Sequence, residues 1–204
     1  MISTFGAKAV VLKLLKAILK KADRMRKLKN EELGRIEAEA YESAVKLNVC
    51  IILDDIRSMN NVGSFFRTSD AFRVSKIWLC GITATPPHRE IHKTALGATD
   101  TVDWEHAENT SALISNLKLE GWSIVSIEQA DQSISLLDFQ PDTDQRYAFV
   151  FGNEVFGVKD EVISQSTTVL EIPQFGTKHS LNVSVSCGIV LWDYVQKNRP
   201  DFKA

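Results

Sequence analysis

The chain has 204 residues, 44% hydrophobic and 25% charged, with a formal net charge of −2. This is the composition of an ordinary soluble globular protein, enough for one domain with an appendage. It excludes a helical membrane span, because no apolar run is long enough. The three cysteines, Cys50, Cys80 and Cys187, form no CxxC pair, which argues for reduced core thiols and a cytoplasmic setting.

The net charge hides an asymmetry. Residues 1–30 hold nine Lys or Arg and one acid, Asp23, leaving fifteen basic and twenty-five acidic residues for the rest. A basic end on an acidic body suits a polyanionic partner. Residues 8–29 read as a helix, with Val11, Leu14, Leu15, Ile18, Ala22 and Met25 at helical spacing and most lysines elsewhere on the wheel. Its stripe can pack on the body or on a second subunit, its lysines can contact an RNA backbone, or Met25 can be the physiological start. A basic targeting helix ranks last. Residues 30–48 continue as an acidic helical connector, so 1–48 form a helical extension.

Beyond it, short apolar runs rich in Val, Ile and aromatics occur at 49–53, 76–80, 123–127, 147–151 and 168–172. Such runs suit strands covered on both faces. Helical candidates lie at 61–72, 107–120, 155–165 and 180–198. The alternation predicts an α/β domain over 49–198 with a mainly parallel sheet and flanking helices, followed by a tail at 199–204. Ligands of such sheets bind beyond the carboxyl ends of the strands, so the stretches that follow strands carry the argument.

The first strand leads into DDIRSMNNVGSFFRTSD, where Asn61 and Gly63 form a turn and Arg67 projects near the start of the next helix. Read by themselves, Asn61 is a helix cap and Arg67 a solvated charge. The fourth strand leads into FGNEVFGV, where Gly152 admits a close backbone approach and Glu154 sits at the strand mouth or in a first helical turn. The fifth leads into IPQFGTKHSLNVSVSCGIVLWDY, in which Ser180 can cap a final helix that is apolar all round. Such a helix needs a core or a second subunit on its outer faces. Asn182 lies between Leu181 and Val183, where burying an amide is costly without a partner. The histidines show no metal-ligand spacing, so no metal is expected.

Taken together, the three stretches resemble the SpoU (TrmH-like) branch of the SPOUT RNA methyltransferases. The matching residues are Asn61-Val-Gly63 with Arg67, Gly152-Asn-Glu154 with Gly157, and Ile172-Pro173 followed by Ser180-Leu-Asn182-Val-Ser184. Gln174 and Ser186 depart from residues common in that family. The resemblance implies a C-terminal trefoil knot, S-adenosylmethionine held by Gly152, Ile172 and Leu181, and a homodimer formed through the terminal helix. It implies methylation of a ribose 2′-hydroxyl in tRNA or rRNA, with tRNA the leading expectation by analogy with compact members. Arg67 would act on the hydroxyl, Asn61 and Glu154 would orient it, and Ser180 and Asn182 would complete the pocket. An arginine base is physically awkward at a pKa above about 12, so phosphate binding and stabilisation of the developing alkoxide is the modest version of its role. Arg57, Arg73, Arg89, Lys93 and the basic N-terminal helix are candidates for RNA phosphate contacts. The alternative is a catalytically silent RNA-binding protein that keeps the fold.

Overall fold

The computed structural model describes residues 11–16 and 26–198. The chain divides into two compact units, Met1–Tyr41 and Glu42–Ala204. In the first, helix α1 (residues 11–16) is followed by a 3₁₀ turn (Asn30–Glu32) and the start of α2 (Ala38–Ser43). Residues 26–29 are not helical, so the helix expected over 8–29 does not reach its end. The Glu32 carboxylate explains why: it accepts from the Arg26 guanidinium and from the Lys29 N–H, which caps a new turn in place of a continuing helix. Met25 and residues 17–24 lie outside the described residues. The connector expected over 30–48 is likewise broken, into the 3₁₀ turn and α2.

The second unit begins ahead of the boundary expected at residue 48. Leu47 is buried and its N–H donates to the Arg73 carbonyl at 2.8 Å. Seven parallel strands follow: β1 (Val49–Asp54), β2 (Lys76–Cys80), β3 (Trp104–Ala107), β4 (Trp122–Ile127), β5 (Ile134–Ser135), β6 (Arg146–Phe151) and β7 (Thr168–Glu171). Their order in the sheet is β3-β2-β1-β6-β4-β7-β5. Ile52 is registered against Trp78 on one side and Val150 on the other. All six β1 residues are buried, as a near-continuous apolar run between two helical layers requires.

Alternation along the strands separates the two faces. One buries Cys50, Ile52, Ile124, Ala148 and Val150 beneath α5 (Thr110–Leu119) and α6 (Asp160–Ile163). The opposite face meets α3 (Met59–Phe72) and α7 (Val183–Asn198). There Phe65 packs edge-on to Phe151 at 5.2 Å, and Tyr194 packs edge-on to Phe149 at 5.8 Å. The three cysteines are free and buried in these layers, and burial raises each thiol above its ordinary range.

The chain departs from its sequence pattern in five places, one of them the two-residue strand β5, which is too short to leave a pattern. The expected turn at Asn61-Gly63 is helical, because the Ser58 side chain caps α3 by accepting from the Asn61 N–H. Gly63 serves a helix crossing: an added Cβ would lie 2.1 Å from Thr94 Oγ1 and 2.3 Å from the Ile91 carbonyl of α4 (Arg89–Ala95). Gly63→Ala is therefore expected to destabilise the fold by about 1–3 kcal/mol; an unchanged denaturation midpoint would refute the close crossing. Helix α4 itself was hidden in a polar stretch, since its seven residues bury only Ile91 and Ala95. Strand β3 was hidden because its sequence WEHA is polar and lies at the sheet edge. Finally, the helix expected at 155–165 shrinks to Asp160–Ile163, because Asn153 Oδ1 accepts from the Val155 and Phe156 N–H groups and folds the preceding residues into a tight loop.

Candidate active site

Three segments leave the carboxyl ends of β4, β6 and β7 and meet around one cavity of about 530 Å³, and the segment after β1 joins them through the hydrogen bond from Asn61 to Glu154. Its walls include Glu128, Gln129, Gly152, Glu154, Ile172, Ser180, Leu181 and Asn182. All three residues expected to hold a cofactor, Gly152, Ile172 and Leu181, are thus on its lining.

Gly152 is where two backbone segments nearly touch. An added Cβ would lie 2.2 Å from the Gly157 carbonyl carbon and 2.2 Å from the Val158 nitrogen. Asn153 and Gly157 exchange two backbone hydrogen bonds, of 3.0 and 2.8 Å, which close the loop. Gly157 holds φ +69°, and a Cβ there would lie 2.3 Å from Glu128 Oε2. The Glu128 carboxylate accepts from the Val158 N–H at 2.9 Å. Gln129 Nε2 donates to the His179 carbonyl at 2.8 Å, tying the segment after β4 to the one after β7. Sequence reasoning missed Glu128, Gln129 and Asn153. The signal available was position alone, since Glu128 and Gln129 directly follow β4.

A polar relay joins the other segments. The Glu154 carboxylate accepts from the Arg57 N–H at 2.9 Å, the Ser58 N–H at 3.0 Å and the Asn61 amide at 2.8 Å. Asn61 Oδ1 accepts from Asn182 Nδ2 at 3.2 Å. Asn182 Oδ1 then accepts from the Ser184 N–H at 2.9 Å and the Val185 N–H at 3.4 Å, which caps α7. The cap expected of Ser180 therefore falls to Asn182. The Ser180 side chain makes no hydrogen bond among the described residues and borders the cavity. Asn182 is exposed, so the burial cost expected of its amide does not arise; its side chain instead reaches Asn61 across 121 positions of sequence.

Partial burial of Glu154 would raise its carboxyl, but the donors from Arg57, Asn61 and Ser58 outweigh it and hold the group below the usual carboxylate range. Glu154 thus contributes stability present above its unfolded value and lost as pH falls through its folded value. Asn61→Asp would reverse this by setting a second carboxylate against it, so that the pair shares a proton and titrates above the unfolded value. The variant is expected to lose about 1–3 kcal/mol near neutrality. Its deficit relative to the parent should shrink as pH falls and grow as pH rises through the raised value. Denaturation midpoints across that range check this; a deficit independent of pH would contradict the contact.

Arg67 is the residue that does not join. It lies in the third turn of α3, not near the helix start as the sequence suggested. Six residues beyond Asn61, it stands about 9 Å further along the axis and about 240° round it. It is exposed, absent from the cavity wall, and without a hydrogen-bond or ion-pair partner among the described residues. Its stripe, with Asn60, Ser64 and Ala71, faces solvent between the helices α4 and α7.

This arrangement defines a nucleotide- or cofactor-binding α/β domain whose pocket lies beyond the carboxyl ends of the strands. A model of the SpoU rRNA Methylase family matches residues 48–192, and the chain belongs to that family. It is 29% identical over 83% of its length to the 23S rRNA (guanosine-2'-O-)-methyltransferase RlmB of Coxiella burnetii, covering 68% of that protein. It is 26% identical to the tRNA (guanosine(18)-2'-O)-methyltransferase of Borreliella burgdorferi, over 72% of this chain and 66% of that one. The AdoMet-bound rRNA methyltransferase from Sinorhizobium meliloti superposes with TM-score 0.68 and 28% identity, over 72% of this chain and 56% of that one. The chain thus spans about two thirds or less of these proteins' own lengths. Among the described residues no helix is long and apolar enough to cross a membrane, and no group of three or more His, Cys, Asp or Glu could hold a metal ion.

Proposed function

We propose that the protein transfers a methyl group from S-adenosylmethionine to a ribose 2′-hydroxyl of RNA. The observation that carries this reading is the cavity built from backbone-rich loops, with the Glu154–Asn61–Asn182 relay at its mouth. The residues present fit the cofactor. The cavity volume lies in the ordinary range for small-molecule sites. Among the described residues, its only charged lining side chains are Glu128 and Glu154, which suits a cationic sulfonium. Gly152, Ile172 and Leu181 would hold it, largely through backbone groups and apolar contact. When bound, S-adenosylmethionine supplies an already activated methyl group, so what remains for the chain is to align the hydroxyl and manage one proton.

Asn61, Glu154 and Asn182 fix the mouth of the pocket, and Ser180 offers a free hydroxyl at its edge. Arg67 binds the neighbouring phosphate and stabilises the developing alkoxide. It does so in the pocket of a second copy, because within one chain it lies off the cavity. Support for a homodimer comes from α7. Val185 is 51% exposed, Ile189 36% and Trp192 55%, an apolar strip at helical spacing. Helices α3 and α7 run parallel, since Asn61 meets Asn182 at their starts and Phe72, at the end of α3, meets Trp192 midway along α7. The Arg67 stripe therefore flanks that strip, and a copy seated there would stand beside Arg67. The trefoil knot belongs to the same reading. Residues 172–182 carry the chain from β7, past the Gly152–Gly157 loop, to α7 beside α3.

The relatives' names cover both ribosomal and transfer RNA. Transfer RNA stays the leading candidate, on the analogy with compact members, in a cytoplasmic setting. Calorimetry with S-adenosylmethionine, followed by mapping of 2′-O-methyl positions in RNA from deletion and parent strains, tests the proposal. An absent cofactor response would return the protein to a silent RNA-binding role.

A further inference from the structure

Among the described residues, the two most exposed aromatic side chains flank the same cavity. Phe175 is 97% exposed and Phe156 is 83% exposed, against 55% for Trp192 on the α7 strip. Among the other described phenylalanines, Phe65, Phe66, Phe149 and Phe151 are fully buried and Phe72 and Phe139 partly so, so full exposure is not the habit of this residue type here. Phe156 is itself on the cavity wall, in the loop pinned by Asn153. Phe175 directly follows Gln174, a wall residue on the opposing segment after β7. Neither ring has an aromatic partner among the described residues.

We infer that Phe175 and Phe156 form a stacking site for the nucleobase whose ribose enters the cavity. This rests on the RNA-methyltransferase reading above and adds a recognition element to it. A flat apolar ring held in water at a pocket mouth is costly to keep and suits a flat apolar partner. A 2′-hydroxyl can reach a pocket inside the loops only if its nucleotide leaves the helical stack, and the freed base face then needs a new one. Basic groups accompany each ring as such sites require. Lys178 is exposed three residues beyond Phe175, and the exposed Arg57 is joined through its N–H to Glu154, two residues before Phe156. Both rings read a π-face and not an edge, so the site favours the larger purine face over pyrimidines without choosing a sequence.

The test uses the full chain and two fluorescein-labelled oligoribonucleotides, one all uridine and one with a single central guanosine. Fluorescence anisotropy should show the parent binding the guanosine oligonucleotide more tightly. Phe175→Ala and Phe156→Ala should each weaken that complex roughly five- to a hundredfold and erase the purine preference. Phe175→Trp should retain both. S-adenosylmethionine affinity of Phe175→Ala should match the parent, since residue 175 is off the cavity wall. Equal RNA binding by parent and alanine variants overturns the stacking site and leaves the enzyme reading intact. A parent that binds neither oligonucleotide removes both. A change of oligomeric state in Phe175→Ala, seen by sedimentation, assigns the ring to a subunit contact and also overturns the inference.

Discussion

Gly152→Ala is expected to weaken S-adenosylmethionine binding roughly ten- to a hundredfold while leaving a folded protein. The added methyl would occupy the space of the Gly157 carbonyl carbon and Val158 nitrogen, each 2.2 Å away. Backbone cannot swing aside as a flexible side chain can, so the loop over Asn153–Gly157 must move outward. Overpacking of this kind costs about 1–3 kcal/mol. If it falls on the cavity, affinity drops roughly ten- to a hundredfold. The melting temperature should fall on the order of 2–12 °C, because the strands beneath are untouched. Titration calorimetry and thermal unfolding separate the two effects. An alanine variant with parental cofactor affinity would mean that this loop is not the cofactor's cradle.

Arg67→Lys should behave in the opposite way. Cofactor affinity should stay at the parental level, since Arg67 lies outside the cavity wall. Turnover should fall roughly 10²–10³-fold, the cost of removing one donor from a developing oxyanion, because an ammonium cannot reproduce a bidentate guanidinium. The placement of Arg67 adds a sharper expectation. Arg67→Lys and Asn182→Ala proteins, each nearly inactive, should regain roughly a quarter of parental activity when unfolded together, mixed equally and refolded, if each pocket draws Arg67 from its partner. A mixture as inactive as its components would place Arg67 in its own subunit's pocket. Near-normal turnover of Arg67→Lys would remove it from the chemistry altogether.

Much of this is legible in the sequence alone. The five apolar runs became β1, β2, β4, β6 and β7 almost residue for residue, because strands buried on both faces must be apolar throughout. Polar or very short elements were illegible for the same reason. WEHA at the sheet edge and the seven residues of α4 bury too little to leave a pattern. Glycines were legible as special but not in purpose. Gly63 looked like a turn and is instead a point of helix contact, because a missing side chain reads the same in either use. The expected site residues came from the order of three motifs, whereas Glu128 and Gln129 followed a strand without any motif to mark them.

By itself the sequence determined the parallel α/β layering, the free cysteines' burial and two of the three segments that line the pocket, those after β6 and β7. These follow from local pattern, where neighbours in the chain bury the same surface. Only the tertiary structure decided that Asn182 caps α7 and reaches Asn61, that Glu154 gathers the Arg57 and Ser58 amides, and that Arg67 turns away from its own cavity. Those contacts join positions as far as 121 residues apart. A hydrogen bond over that separation exists only once the sheet has brought its loops together, and no local pattern can encode it.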